Sequence, residues 1–177
     1  MRWNYMKAGS ELLAFADDQG IPLGTVAVDE LGRVWKWLKN AGAASIAAQK
    51  AAKLTSYTGY TVTLNTTLNQ PFAGVRAVGA DTLPQNYYGW FIVRGIATFT
   101  FGDSALAITA GKRVVLDDDA DGGNVGQQVV DITSTVNETN VELVTDSMQG
   151  AFGRALESQS VTDGDVDVAI LENVWGD

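Results

Sequence analysis

The feature that most limits what this chain can fold into is an absence: none of its 177 residues is histidine or cysteine. With no cysteine there is no disulfide framework to staple a loop-rich structure, so stability must come from packing or from association with other subunits. The same absence removes the commonest general base, the commonest transition-metal ligands and the thiolate nucleophile. A glycine-rich, acidic chain of this kind reads as a surface or assembly part, and no enzyme is expected. Apolar residues make up 46% of it, enough to build a core.

No apolar run approaches the ~20 residues that span a bilayer, so no membrane partner is expected. The run Leu12 to Ala16 is too short for a signal h-region, and Asp17 and Asp18 follow at once. Folding in a cytoplasm is the expectation. Charge is split along the chain. Residues 1–116 carry 11 Lys/Arg against 7 Asp/Glu, whereas residues 117–177 carry only Arg154 against 14 acidic residues. Such a field repels phosphates, which argues against nucleic acid as a partner.

Residues 1–16 hold Trp3, Tyr5, Met6, Leu12, Leu13 and Phe15 without helical or strand periodicity. Aromatic residues at a chain end suit anchoring at an interface, the alternative being an edge strand on the chain's own domain. Residues 22–39 read as a hairpin, with Asp29-Glu30-Leu31-Gly32 as the turn and Trp35 and Trp37 on one face of the second strand. Two tryptophans so placed make a carbohydrate platform, a core edge or a subunit contact. The alanine-rich residues 40–53 predict a short helix, or a loop followed by one. Residues 55–67 predict extended structure. From Trp90 onward short strands follow one another closely: WFIVRG, ATFTFG, ALAITAG, RVVLDD, QQVVDIT, VELVT and VDVAILENVW. The fold class expected is all-β, an antiparallel barrel or sandwich (residues 22–177) with an extended N-terminal arm (residues 1–21) and at most one or two short helices.

One segment has metal-ligand spacing. Asp117, Asp119 and Asp121, followed by Gly122, match the alternation by which carboxylates converge on calcium. Gln128 stands where a bidentate Glu is needed, and the flanks read as strands, so an acidic hairpin loop is the simpler account. Asp163, Asp165 and Asp167 alternate on the wet face of a strand whose other face carries Val166 and Val168. Gly150 to Glu157 suggests a glycine-flexed turn into a short helix.

Several of these segments together resemble a known family. Tyr88-Gly89-Trp90-Phe91-Ile92-Val93-Arg94-Gly95-Ile96-Ala97 is similar to the YGW-x-x-V-x-G-x-A signature of capsid decoration, or cement, proteins of tailed bacteriophages. Ile108 to Val115 is similar to their aG-x-x-V step. Gly153-Arg154-Ala155-Leu156-Glu157 with Asp165 to Leu171 is similar to their closing element, and Leu23-Gly24 through Gly32 fits their opening hairpin. The resemblance implies a non-enzymatic β-rich protein, a homotrimer on the outside of the virion, bound to the major capsid protein; no cofactor is expected beyond calcium at the Asp117, Asp119 and Asp121 segment. By position it makes the N-terminal arm, with Trp3, Tyr5, Met6, Leu12, Leu13 and Phe15, the capsid-binding segment; Trp35, Trp37 and Trp90 are expected as oligomer contacts. A head-fibre or tail-associated glycan-binding module, stabilised by calcium, is the alternative.

Overall fold

A computed structural model describes residues 4–5, 12–66, 70–101, 108–116, 122–123, 125–127, 151–158 and 164–171. Every named element in them is a strand: β1 (Asn4–Tyr5), β2 (Phe15–Ala16), β3 (Val26–Val28), β4 (Val34–Asn40), β5 (Ala51–Ser56), β6 (Thr61–Leu64), β7 (Phe72–Val75), β8 (Tyr88–Phe101), β9 (Arg113–Leu116), β10 (Val125–Gln127), β11 (Gly153–Ala155) and β12 (Gly164–Ile170). No helix among the described residues is long and apolar enough to cross a membrane.

The fourteen-residue β8 organises the architecture. Its first half pairs with β4 and β7, and the chain of pairings β4-β6-β5-β7-β8 returns to β4, closing a five-stranded ring. Its second half pairs with β12 and β10, and β8-β10-β9-β11-β12 returns to β8, closing another. Closure removes the exposed edges that open sheets must protect. The strand changes partners at Gly95, whose φ of 103° is open to glycine and strained for other residues; a Cβ there would lie 3.1 Å from Arg33 Cα.

Each ring has its own filling. Leu38, Val62, Ala52, Ala73 and Phe91, one from each strand of the first ring, form a buried cluster with Ile46 and Leu83. In the second ring, directly opposed residues share a face. Val166 meets Phe99, Val168 meets Ala97 and Leu116 meets Val125, and all six are buried. This second cluster continues onto the other face of the first ring, where it takes in Trp35, Trp37, Trp90 and Ile92. A trio of aromatic side chains joins the two barrels: Phe72 of β7 stacks on Phe152 with centroids 4.1 Å apart, and Phe99 tilts against both.

The all-β class and the hairpin agree with the sequence reading; β3 and β4 pair antiparallel around the expected turn. Two expected helices are not helices. Residues 40–53 run instead as a bend, an isolated bridge from Ile46 to Leu83 and the start of β5. Of the alanines in this run, the last two, at the start of β5, are buried, while Ala41, Ala43 and Ala44 are exposed. Ala51 and Ala52 are wholly covered, and Gly42 sits where a Cβ would overlap the Thr63 side chain. The described part of the turn-and-helix expected at 150–157 carries β11 instead, held between β9 and β12.

Candidate functional site

The N-terminal residues expected to form an extended arm are, where described, laid on the body. Asn4 and Tyr5 pair in parallel with Ala27 and Val28, and Phe15 and Ala16 pair with Gly89 and Tyr88. Leu12 is 3% exposed and belongs to the core, which corrects its assignment as a capsid contact. Leu13, Ala16, Ile21 and Leu23 are partly buried against the cluster that holds the tryptophans. Phe15 is the outward member, 38% exposed and edge-on to Tyr87 at 5.3 Å. Trp3 and Met6 lie outside the described residues, as does the side chain of Tyr5.

One buried cation fastens this segment. Arg76, in the turn after β7, is fully covered. Its Nη1 donates to the Trp90 carbonyl at 2.8 Å, and its Nη2 donates to the carbonyls of Leu13 at 3.0 Å and Asp81 at 2.8 Å. The guanidinium lies over the Phe91 ring and against Gly89, where a Cβ would approach Nη1 to 2.8 Å. Burial pulls its pKa down to about 10, with the Asp81 charge working the other way. Three carbonyls in a fixed fork are what a planar guanidinium satisfies and an ammonium cannot. Nothing in the local sequence marks Arg76, because a lone arginine after a short strand ordinarily points to water.

The tryptophans expected as oligomer contacts are core. Trp35, Trp37 and Trp90 are 1%, 4% and 1% exposed. Trp37 and Trp90 face each other across β4 and β8 with centroids 5.3 Å apart. Trp37 donates its indole N–H to the Gln19 carbonyl and stacks on Tyr88, over which Lys39 sits. The covering N-terminal residues explain the burial. Alternation in the sequence places Trp35 and Trp37 on one face but gives no sign that residues 12–23 close over it. Contact with another copy would run over those covering residues, not over the rings, and the rings offer no open sugar platform.

Asp117, Asp119 and Asp121 lie outside the described residues. The Gly122–Gly123 step that follows them is tied down: Gly123 donates to the Asn65 carbonyl and accepts from Ala51 N–H, both at 2.6 Å. Among the described residues no group of three or more acidic side chains is gathered as a cation would need. Asp165 is exposed and Asp167 half-buried, on the face opposite Val166 and Val168 as expected; Asp163 is not described.

The concavity the sequence reading misses lies where the two barrels meet. A groove of about 370 Å³ is bounded by the hairpin turn, the segment after β7, and β8 with β12. Leu31, Val78 and Ile96 line it while remaining 77%, 57% and 55% exposed, and Arg33, Thr98 and Asp167 supply its polar edge. Thr98 Oγ1 donates to Asp167 Oδ1 at 2.6 Å. Leu31 at the tip of a polar turn is the available signal, since such a position normally carries a polar residue. The groove offers apolar contact to a partner surface, with Arg33, Thr98 and Asp167 along its polar edge. Compared with known proteins, the chain matches no family model and no curated protein sequence.

Proposed function

We propose that this chain is a capsid decoration protein that binds the outer surface of a tailed-phage head as a homotrimer and clamps neighbouring major capsid protein subunits. The hold of Arg76 on the Leu13 carbonyl carries the reading. It gives the N-terminal segment a fixed base on a double barrel, and the residues before that base carry Trp3 and Tyr5. Their described attachment is the two-residue pairing of β1, far shorter than an independently stable strand. Hydrogen bonds of that kind transfer to a partner's edge at low cost. Each aromatic ring buried against the shell contributes about 1.5–3 kcal/mol, and linkage of copies multiplies the effect through effective concentration.

The test is co-sedimentation with heads prepared without the protein. The Trp3→Ala/Tyr5→Ala double variant is expected to keep the wild-type circular dichroism and melting temperature while its occupancy on heads falls. Occupancy equal to wild type would overturn the assignment of the shell contact to this segment.

A further inference from the structure

The groove between the barrels lies where the last described strand ends. Its floor is small and covered, with Ala77 and Ala97 both buried, while its walls of Leu31, Val78 and Ile96 stand open to water. An apolar concavity of this kind marks a contact surface. Register places the end of β12 beside it. Ile170, the final residue of that strand, stands opposite Gly95 of β8, and Gly95 lies against Arg33, which lines the groove. Leu171 still donates its N–H to the Phe152 carbonyl. Beyond it the sequence reads Glu172-Asn173-Val174-Trp175-Gly176-Asp177, outside the described residues. The apolar pair Val174 and Trp175 therefore follows within four positions of the groove's rim.

We propose that residues 172–177 turn back over β12 and seat Trp175 in this groove, with the indole on Ile96 between Leu31 and Val78. The distances permit it. Ala169 is directly opposite Ile96, and Leu171 is the next residue after Ala169 on the same side of β12. With about 4.8 Å between strands and roughly 6.8 Å between alternate residues, the Leu171 and Ile96 Cα atoms are about 8 Å apart. Four residues of extended chain reach about 13 Å, which leaves slack for a turn. Asn173 suits that turn. Glu172 leaves beside Arg33 and Arg94, whose positive charges flank Gly95.

The chemistry of the groove matches an indole. A tryptophan N–H needs an acceptor once its ring is covered. Asp167, on the polar edge, presents a carboxylate that Thr98 Oγ1 already orients at 2.6 Å. The fold uses the same pairing elsewhere, in the bond from the Trp35 indole to Asp29. Tethering does the rest. A tail joined to the groove's rim by a few residues is held there at high effective concentration, so a contact too small to retain a free peptide persists. Docking closes the groove, and release opens an apolar surface at the junction of the two barrels. The contact is separate from the N-terminal segment and independent of the decoration reading.

Because the chain has no cysteine, one introduced thiol can report on the groove alone. In the full chain, Val78→Cys puts that thiol in the groove wall, at a position 57% exposed. Its rate of reaction with an aromatic disulfide reagent is compared with that of Val78→Cys/Trp175→Ala. The second protein should react about threefold faster or more, since a docked tail must lift off before the reagent enters. Tyr57→Cys, in the turn between β5 and β6, is the reference and should react at one rate with or without Trp175→Ala. A matching acceleration at Tyr57→Cys would trace the effect to the whole fold and overturn the proposal, as would equal rates at Val78→Cys. Co-refolding Val78→Cys/Trp175→Ala with excess wild type tests for a neighbour's tail. The rate should stay fast; protection restored by wild-type chains would put another copy's Trp175 in the groove and overturn the contact within one chain.

Discussion

The indole N–H of Trp35 donates a 2.9 Å hydrogen bond to Oδ2 of Asp29, across the turn that joins β3 to β4. The same carboxylate accepts from Arg33 Nε at 2.6 Å and, through Oδ1, from the backbone N–H groups of Leu31 and Arg33. Its side chain is wholly covered while that of Arg33 stays 27% exposed. A single buried acid thus shapes the turn and satisfies the one polar atom of a core tryptophan, and so holds Leu31 at the lip of the groove.

Replacing Asp29 should therefore hurt in two grades. Asp29→Ala leaves the Trp35 indole N–H buried and unsatisfied, a loss of about 1–3 kcal/mol. Asp29→Asn keeps an acceptor and loses less. Burial alone would raise the Asp29 pKa, but hydrogen bonds from the Arg33 and Trp35 side chains and the Arg33 backbone, with the Arg33 charge, hold it below 3.8. A folded-state pKa below the unfolded one means the folded state binds fewer protons. The stability it contributes is complete above the ordinary carboxylate range and is lost as pH falls through the depressed value. Urea midpoints should fall less steeply with acid in Asp29→Asn than in wild type; equal slopes would refute this.

Arg76 gives the second prediction. Arg76→Met removes the donors to the Trp90, Leu13 and Asp81 carbonyls and should destabilise by about 1–3 kcal/mol for each carbonyl left buried and unsatisfied. Arg76→Lys keeps charge but cannot span three acceptors, so it should loosen the N-terminal segment first. Limited proteolysis ahead of Leu13 is the readout, with faster cleavage expected at unchanged far-ultraviolet dichroism. Because the pKa of about 10 lies below the unfolded value, the cost of burying the charge is constant below pH 10 and eases only above it. The Arg76→Met effect should accordingly not vary between about pH 5 and pH 9.

The reach of the sequence follows from what each residue's signal refers to. Strands β3, β4 and β6 are legible because alternation, threonine-rich extended character and the Asp-Glu-Leu-Gly turn are local. The alanine run misleads because the contacts that hold it extended, Thr63 against Gly42 and the Gly123 carbonyl on Ala51 N–H, come from segments distant in sequence. Gly95 reads as a gap between two strands, whereas the chain uses it to carry one strand from barrel to barrel. Of the site, Phe15 stands outward, 38% exposed. The inward roles of Leu12, Trp35, Trp37 and Trp90 and the clamp of Arg76 depend on which segment covers which face, and no periodicity reports that.

Gly95 supplies a third prediction. Gly95→Ala places a Cβ at a φ of 103° and 3.1 Å from Arg33 Cα, so the backbone of β8 must shift where both barrels meet. Strain of this class costs about 1–3 kcal/mol. The melting temperature should drop, and because β8 belongs to both rings, near- and far-ultraviolet transitions should drop together. A loss confined to one probe would mean that the halves of β8 unfold separately.

The aromatic trio decides whether the barrels are energetically coupled. Phe72 belongs to the first ring and Phe99 to the second, and Phe152 stacks on Phe72 at 4.1 Å with planes 12° apart. Phe152 is 2% exposed, so Phe152→Ala should cost about 3–5 kcal/mol. Phe72→Ala should cost a similar amount. Since each ring covers the other, removing the second after the first should cost less than removing it alone, with an interaction energy of about 0.5–3 kcal/mol from the double-mutant cycle. Chemical denaturation of the four proteins gives that number directly. Strict additivity would mean that the Phe72–Phe152 stack carries no coupling between the two barrels.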